Sequence, residues 1–250
     1  MSTRTFKVWR GDKTGGQLVD YTVDVQDGMV VLDAIHQIQR THAHDLACRW
    51  NCKAAKCGSC SAEVNGKPRL MCKTRLDDFV EGQTITVQPM KAFPIIRDLV
   101  TDVSWNYTVN KKIPPFTPKA DTTWRMQQED VDRSQEFRKC IECFLCQNVC
   151  HVLREHDLED KFFGPRFMVR IASLEMHPLD SLDRTALLKN EGGIGLCNIT
   201  KCCTEVCPEE IHITDNAIIP LKERVVDKYY DPIRIALRVL TGGGKGAEKK

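Results

Sequence analysis

Thirteen cysteines in 250 residues, all but one gathered into three constellations, restrict this chain more than any other feature. The run CIECFLCQNVC sets Cys140, Cys143, Cys146 and Cys150 in the C-x2-C-x2-C-x3-C pattern that bacterial ferredoxins use to hold iron–sulfur cubes. Further on, GLCNITKCCTEVCPEE repeats the pattern with a fault: Cys197, Cys203 and Cys207 are in register, Thr200 stands where the second cysteine belongs, and Cys202 sits two places beyond it. Nearer the N-terminus, Cys52, Cys57 and Cys60 have the C-x4-C-x2-C opening of plant-type [2Fe–2S] proteins, with Cys72 as the distal ligand. The odd count and crowded neighbours argue against disulfides, and structural zinc takes two separated C-x2-C pairs rather than three cysteines in one loop. Cys48 lies outside every register and reads as a packed thiol.

In two-cluster ferredoxins the fourth cysteine of each run serves the other cluster. That rule assigns Cys140, Cys143, Cys146 and Cys207 to a [4Fe–4S] site, and Cys197, Cys203 and Cys150 to a second site whose remaining corner is Thr200. A hydroxyl is a poor iron ligand beside a thiolate, so the expected product there is [3Fe–4S]. Three unlike clusters in one chain make a graded wire, and a wire needs an electron donor at one end and an acceptor at the other.

The formal charge of +2 is mixed along the chain, which excludes the basic stripe of a nucleic-acid binder. No apolar run reaches the roughly 18 residues of a membrane span, and MSTRTFKVWR lacks a signal-peptide core, so a cytosolic protein or one held to a membrane by partners is expected. Alternation in TFKVWR (5–10) and LVDYTVDV (18–25) predicts a hairpin, and MVVLDAIHQIQRTH (29–42) an amphipathic helix entered at Asp27 and Gly28. Asn65-Gly66 marks a second hairpin and TITVQP (84–89) another strand. These elements predict a small α+β domain over 1–105. The proline- and lysine-rich stretch within 106–120 predicts an irregular linker, 121–240 a helical domain, and 241–250 a disordered tail. In TDNAIIPLKERVVDKYY a Thr/Asp cap is expected to start a helix that Pro220 shortens or kinks.

The CKAAKCGSC loop with Cys72, the CIECFLCQNVC run, FFGPR and CNITKCCTEVCPEEI together resemble the iron–sulfur subunit of succinate dehydrogenase and fumarate reductase, the respiratory complex II family. The resemblance implies an α+β chain, an N-terminal β-grasp [2Fe–2S] ferredoxin domain followed by an all-α dicluster ferredoxin-like domain. It implies electron transfer from a flavoprotein subunit, which carries FAD and the dicarboxylate site and oxidises succinate, to a quinone at membrane-anchor subunits. It places the chain peripherally on the cytoplasmic face of the bacterial cell membrane. Fumarate reduction by the same wire, or service to another flavin-dependent oxidoreductase, is the alternative. The chain departs from the family's pattern at His151, where proline is common, and at Asn198, where ubiquinone-using members often have histidine. With Thr200, these two mark the expected quinone and cluster vicinity, and they favour a menaquinone-type site. The other six histidines read as surface or packing residues. Arg49, Lys53, Lys56 and Arg69 read as solvated charges that suit an acidic partner surface.

Overall fold

In the computed structural model, which describes residues 2–121 and 123–240, the alternating N-terminal stretch forms an antiparallel pair, β1 (Ser2–Asp12) and β2 (Gly15–Val25). Phe6, Val8 and Val23 face inward and are fully buried. Helix α1 (Val31–Thr41) buries Val31, Leu32, Ala34, Ile35 and Ile38 against them. Its entry lies later than expected: the Asp33 carboxylate accepts from the Val30 N–H at 3.2 Å, and Asp27 and Gly28 precede the helix. Asn65 and Gly66 adopt left-handed φ of 48° and 74°, which a two-residue turn between twisted strands requires, and join β3 (Ser61–Val64) to β4 (Lys67–Leu70). Strand β5 (Ile85–Gln88) runs parallel to β1, and β6 (Ile95–Arg97) and β7 (Val100–Thr101) complete the order β4-β3-β5-β1-β6-β7, with β2 also on β1. A mixed sheet holding one helix is the expected β-grasp.

Helix α2 (Ser104–Lys112) occupies ground expected to be irregular, because tertiary burial of Asn106 and Val109 outweighs a weak local pattern. Trp105 at its start packs against both the N-terminal and the C-terminal core. The proline segment after it is tied down. Arg184 donates to the Pro114 and Pro115 carbonyls at 3.2 and 2.8 Å while its guanidinium pairs with Asp180 at 2.8 Å, and Ser181 N–H donates to Thr117 O.

The rest is helical, as expected: α3 (Gln128–Arg138), α4 (Leu145–Val149), α5 (His151–Arg154), α6 (Pro165–Glu175), α7 (Thr185–Asn190), α8 (Cys202–Glu205), α9 (Ile219–Tyr229) and α10 (Pro232–Leu240). Phe162, Phe167, Met168, Ile171, Leu188, Ala217 and Leu221 form their core. The helix expected to start on a Thr/Asp cap begins instead with a π-helical turn over Ile213–Ile218, N-capped by His212. Pro220, which has no N–H to give, stands in the first turn of the α-helix that follows. Among the described residues no helix is long and apolar enough to cross a membrane. The tail at 241–250 lies outside the described residues.

Candidate iron–sulfur centres

Each cysteine loop carries two non-glycine residues in the left-handed region, two positions apart: Lys53 and Ala55 (53° and 55°), Glu142 and Phe144 (55° and 60°), Ile199 and Lys201 (both 62°). Such residues cost about 1–2 kcal/mol each. Alternating right- and left-handed residues aim successive N–H groups into one concavity, a nest suited to an anionic cluster.

In the first loop the N–H groups of Ala54 and Lys56 both donate to Cys52 Sγ at 3.3 Å, and Cys72 N–H donates to Cys60 Sγ at 3.4 Å. Burial works against ionising Cys57, but hydrogen bonds from Ser59 and Cys52 outweigh it and bring that thiol down to about 6. Burial pushes Cys60, which interacts with Cys72 and Cys57, up to about 12. The four predicted cysteines are thus together. Trp50 stands half-exposed beside them, with the His36 ring 4.8 Å and Lys53 Nζ 5.2 Å from its ring centroid. Cys48 packs at the edge of the N-terminal core, and burial raises its thiol to about 12, as a bystander's would be.

The second site is a small cavity whose wall contains Cys140, Cys143, Cys146 and Cys207. The chain therefore returns from its second cysteine stretch to close the first, as the crossing rule requires. Ile141, Phe144, Val169, Ile211 and Ile213 make most of the lining apolar, with Arg166 and Glu209 also in the wall. Burial raises the thiols, Cys143 to about 12 and Cys146 well above its ordinary value. Four thiols walling an apolar cavity fit an iron–sulfur cube, which binds them as thiolates and releases their protons. Among the described residues no three His, Cys, Asp or Glu side chains converge on a single-ion site. In a cube each thiolate takes a different iron, so its ligands need no such convergence.

At the third site Cys150 lies within electrostatic reach of Cys202 and Cys203, and Cys203 within reach of Cys197 and Cys202; burial raises Cys150 to about 12 and Cys203 to about 11. The left-handed pair Ile199 and Lys201 matches Glu142 and Phe144 position for position, and α8 starts after Lys201 as α4 starts after Phe144. Thr200 therefore occupies the backbone place of Cys143, and Cys202 that of Leu145. Thr200 Oγ1 lies 3.3 Å from Cys202 Sγ. Thr200 and Asn198 are exposed, as are the apolar Leu196 and Ile199 beside them. His151, half-buried at the start of α5, has a buried Nε2 with no hydrogen-bond partner among the described residues. The π-helical turn sets Thr214 Oγ1 3.5 Å from Cys203 Sγ.

The three sites adjoin in sequence order. Ser61 Oγ lies 2.9 Å from both Gly58 O and Cys143 O, and Cys146 interacts electrostatically with Cys203. Several residues that hold this arrangement carry no recognisable local signal. Glu63, fully buried in β3, pairs with Arg154 at 3.0 Å and accepts from Asn148 Nδ2 at 3.0 Å, locking the two domains together. Gln147 donates to Phe163 O at 3.0 Å and accepts from Arg166 N–H at 3.2 Å. This explains FFGPR: Gly164 has φ 84°, and a Cβ there would lie 2.1 Å from Gln147 Oε1. Lys56 reaches across to Glu209 at 3.2 Å rather than standing free.

Residues 5–108 match the model of a 2Fe-2S iron–sulfur cluster binding domain, and residues 136–211 that of a 4Fe-4S dicluster domain. The chain is 32% identical to the fumarate reductase iron–sulfur subunit of Mycobacterium tuberculosis, over 76% of its own length and 79% of the relative's. The chain belongs to the iron–sulfur subunit family of succinate dehydrogenase and fumarate reductase. Within this family it superposes on a chain of the Mycobacterium smegmatis Sdh1 complex in the apo form with a TM-score of 0.90 and 64% identity, covering 92% of this chain and 98% of that one. It is also 32% identical to a component of the fumarate reductase (CoM/CoB) of Methanothermobacter marburgensis, over 82% of its length but only 40% of that protein. The chain thus spans about two fifths of the longer curated relatives it matches. It carries a [2Fe–2S] binding domain and a [4Fe–4S] dicluster domain.

Proposed function

We propose that this chain is the electron-transfer subunit of a succinate:quinone oxidoreductase. Cys52, Cys57, Cys60 and Cys72 hold [2Fe–2S], Cys140, Cys143, Cys146 and Cys207 hold [4Fe–4S], and Cys150, Cys197 and Cys203 hold [3Fe–4S]. When bound, these clusters supply one-electron redox steps and so divide the two-electron oxidation of succinate into single transfers. The chain's own residues fix the order of the sites, exclude water from the middle one and present the last at the surface. The donor is a flavoprotein subunit that carries FAD and the dicarboxylate site. The acceptor is a menaquinone-type quinone near His151, Asn198 and Thr200, at membrane-anchor subunits on the cytoplasmic face. Likeness to a chain of an Sdh1 complex favours succinate oxidation. Likeness to fumarate reductase subunits keeps the reverse direction as the second reading.

The observation that carries the proposal is the matched backbone of the two cysteine stretches, in which a threonine replaces one thiol at an exposed corner. Its test is electron paramagnetic resonance of the air-oxidised native complex, with succinate-driven quinone reduction measured alongside. A [3Fe–4S] signal is expected. Thr200→Cys should abolish that signal by admitting a fourth iron, and Cys202→Ala should leave it intact. Loss of the signal in Cys202→Ala would show that the register is wrong.

A further inference from the structure

Arg166 is only 5% exposed, a costly place for a guanidinium, and it stands in the wall of the cavity formed by Cys140, Cys143, Cys146 and Cys207. One side of its charge is accounted for. Its Nη2 donates to the carboxylate of Glu142, which lies between the first two cysteines and is half-exposed. The guanidinium also sits 5.5 Å from the Phe167 ring centroid and interacts electrostatically with Cys140. Its Nε, by contrast, is buried without any hydrogen-bond partner among the described residues. A buried N–H left without an acceptor costs about 1–3 kcal/mol, more on a charged group. Glu209 also lines the cavity, but its carboxylate is engaged by Lys56 at 3.2 Å.

We infer that Arg166 Nε–H donates to the cluster held by this cavity, and that the Arg166–Glu142 pair sets the cluster's reduction potential. This rests on the proposal that the four cysteines hold [4Fe–4S]. Reduction adds negative charge to the cluster, so a hydrogen bond and a positive charge in its wall favour the reduced form, and the Glu142 carboxylate opposes them. The two partners therefore act with opposite sign, which a disturbance of packing alone would not produce.

The test is a potentiometric titration of the [4Fe–4S] signal by electron paramagnetic resonance in the purified complex. Arg166→Met should make reduction at least tenfold less favourable, a downward shift of about 59 mV for one electron. Glu142→Gln, which leaves the guanidinium unopposed, should shift the midpoint upward. An unchanged midpoint in Arg166→Met, or shifts of the same sign in both variants, overturns the inference. Should Arg166→Met assemble no cluster, Glu142→Gln decides alone: an upward shift supports the inference, and no shift or a downward one refutes it. Absence of a [4Fe–4S] signal from the unaltered complex would instead refute the ligand assignment.

Discussion

Gly58 is a point of close approach between the first two sites, and replacing it with alanine should separate them. Its φ of +69° is left-handed, so any side chain costs about 1–2 kcal/mol in conformation alone. The new Cβ would lie 2.6 Å from Cys143 Cα and 2.8 Å from Cys143 Cβ. Moving from 2.6 Å to the 3.4 Å where contacts become ordinary requires a shift of about 0.8 Å, against a segment pinned by Ser61 to both backbones. Overpacking of this kind costs about 1–3 kcal/mol, which brings the total to about 2–5 kcal/mol. For a chain of this length that is a fall in Tm on the order of 4–20 °C. Gly82→Ala is the control. Gly82 has φ +76° but nothing within 4 Å of an added Cβ, so it should incur only the conformational part. Thermal unfolding by circular dichroism reads the stability difference, and rapid-freeze electron paramagnetic resonance reads electron arrival at the second cluster. That arrival should slow in Gly58→Ala, because tunnelling decays steeply with separation. Equal Tm losses at the two glycines, with unchanged electron arrival, would refute the close approach of the loops.

Three further outcomes are expected. Glu63→Ala strands the Arg154 guanidinium and Asn148 amide in a buried interface and should cost about 3–5 kcal/mol, seen as accelerated proteolysis between the domains, whereas Lys91→Ala, on the same carboxylate but half-exposed, should cost under about 1 kcal/mol. Gly164→Ala forces a Cβ onto Gln147 in the turn next to Cys146 and should lower both Tm and iron content at the second site. Glu136 is raised by burial but lowered further by hydrogen bonds from Asn216 and from the His212 N–H and ring, leaving it below the ordinary 4.5. Its stabilisation is therefore present above about pH 4.5 and lost as pH falls through the depressed value; the stability gap between the native chain and Glu136→Gln should narrow in acid urea titrations.

The backbone match between the two cysteine stretches is legible in the sequence because metal-ligand motifs leave a local mark in residue type and spacing, and that spacing alone aligns Thr200 with Cys143. The hairpins and α1 were legible for the same reason, since period and turn chemistry are written within a dozen residues. Helix α2 was not, because its place is secured by Trp105, Asn106 and Val109 packing against chain far away in sequence. The start of the last long helix departs from the sequence pattern for a related cause: Thr214 and Asp215 look like a cap, but Thr214 is drawn into bonds with Thr204 and Cys203 instead. Charges at the centre of the molecule were the hardest to foresee. Glu63 and Arg154 are 91 positions apart, and nothing near either predicts that a strand carboxylate will be fully buried on a helix of the other domain.

The cavity wall built from residues 140–146 and from Cys207 has a consequence for how the molecule is made. A growing chain cannot complete that wall until Cys207 has left the ribosome, so insertion of a cube there would belong to maturation rather than synthesis. A cube held by these four cysteines would staple a segment of some sixty residues that includes α5, α6 and α7, and would shrink the freedom of the unfolded chain as a cross-link does. The cofactor proposed to carry the electron would thereby also be a fastener, and iron starvation should then reach this protein first as a folding defect.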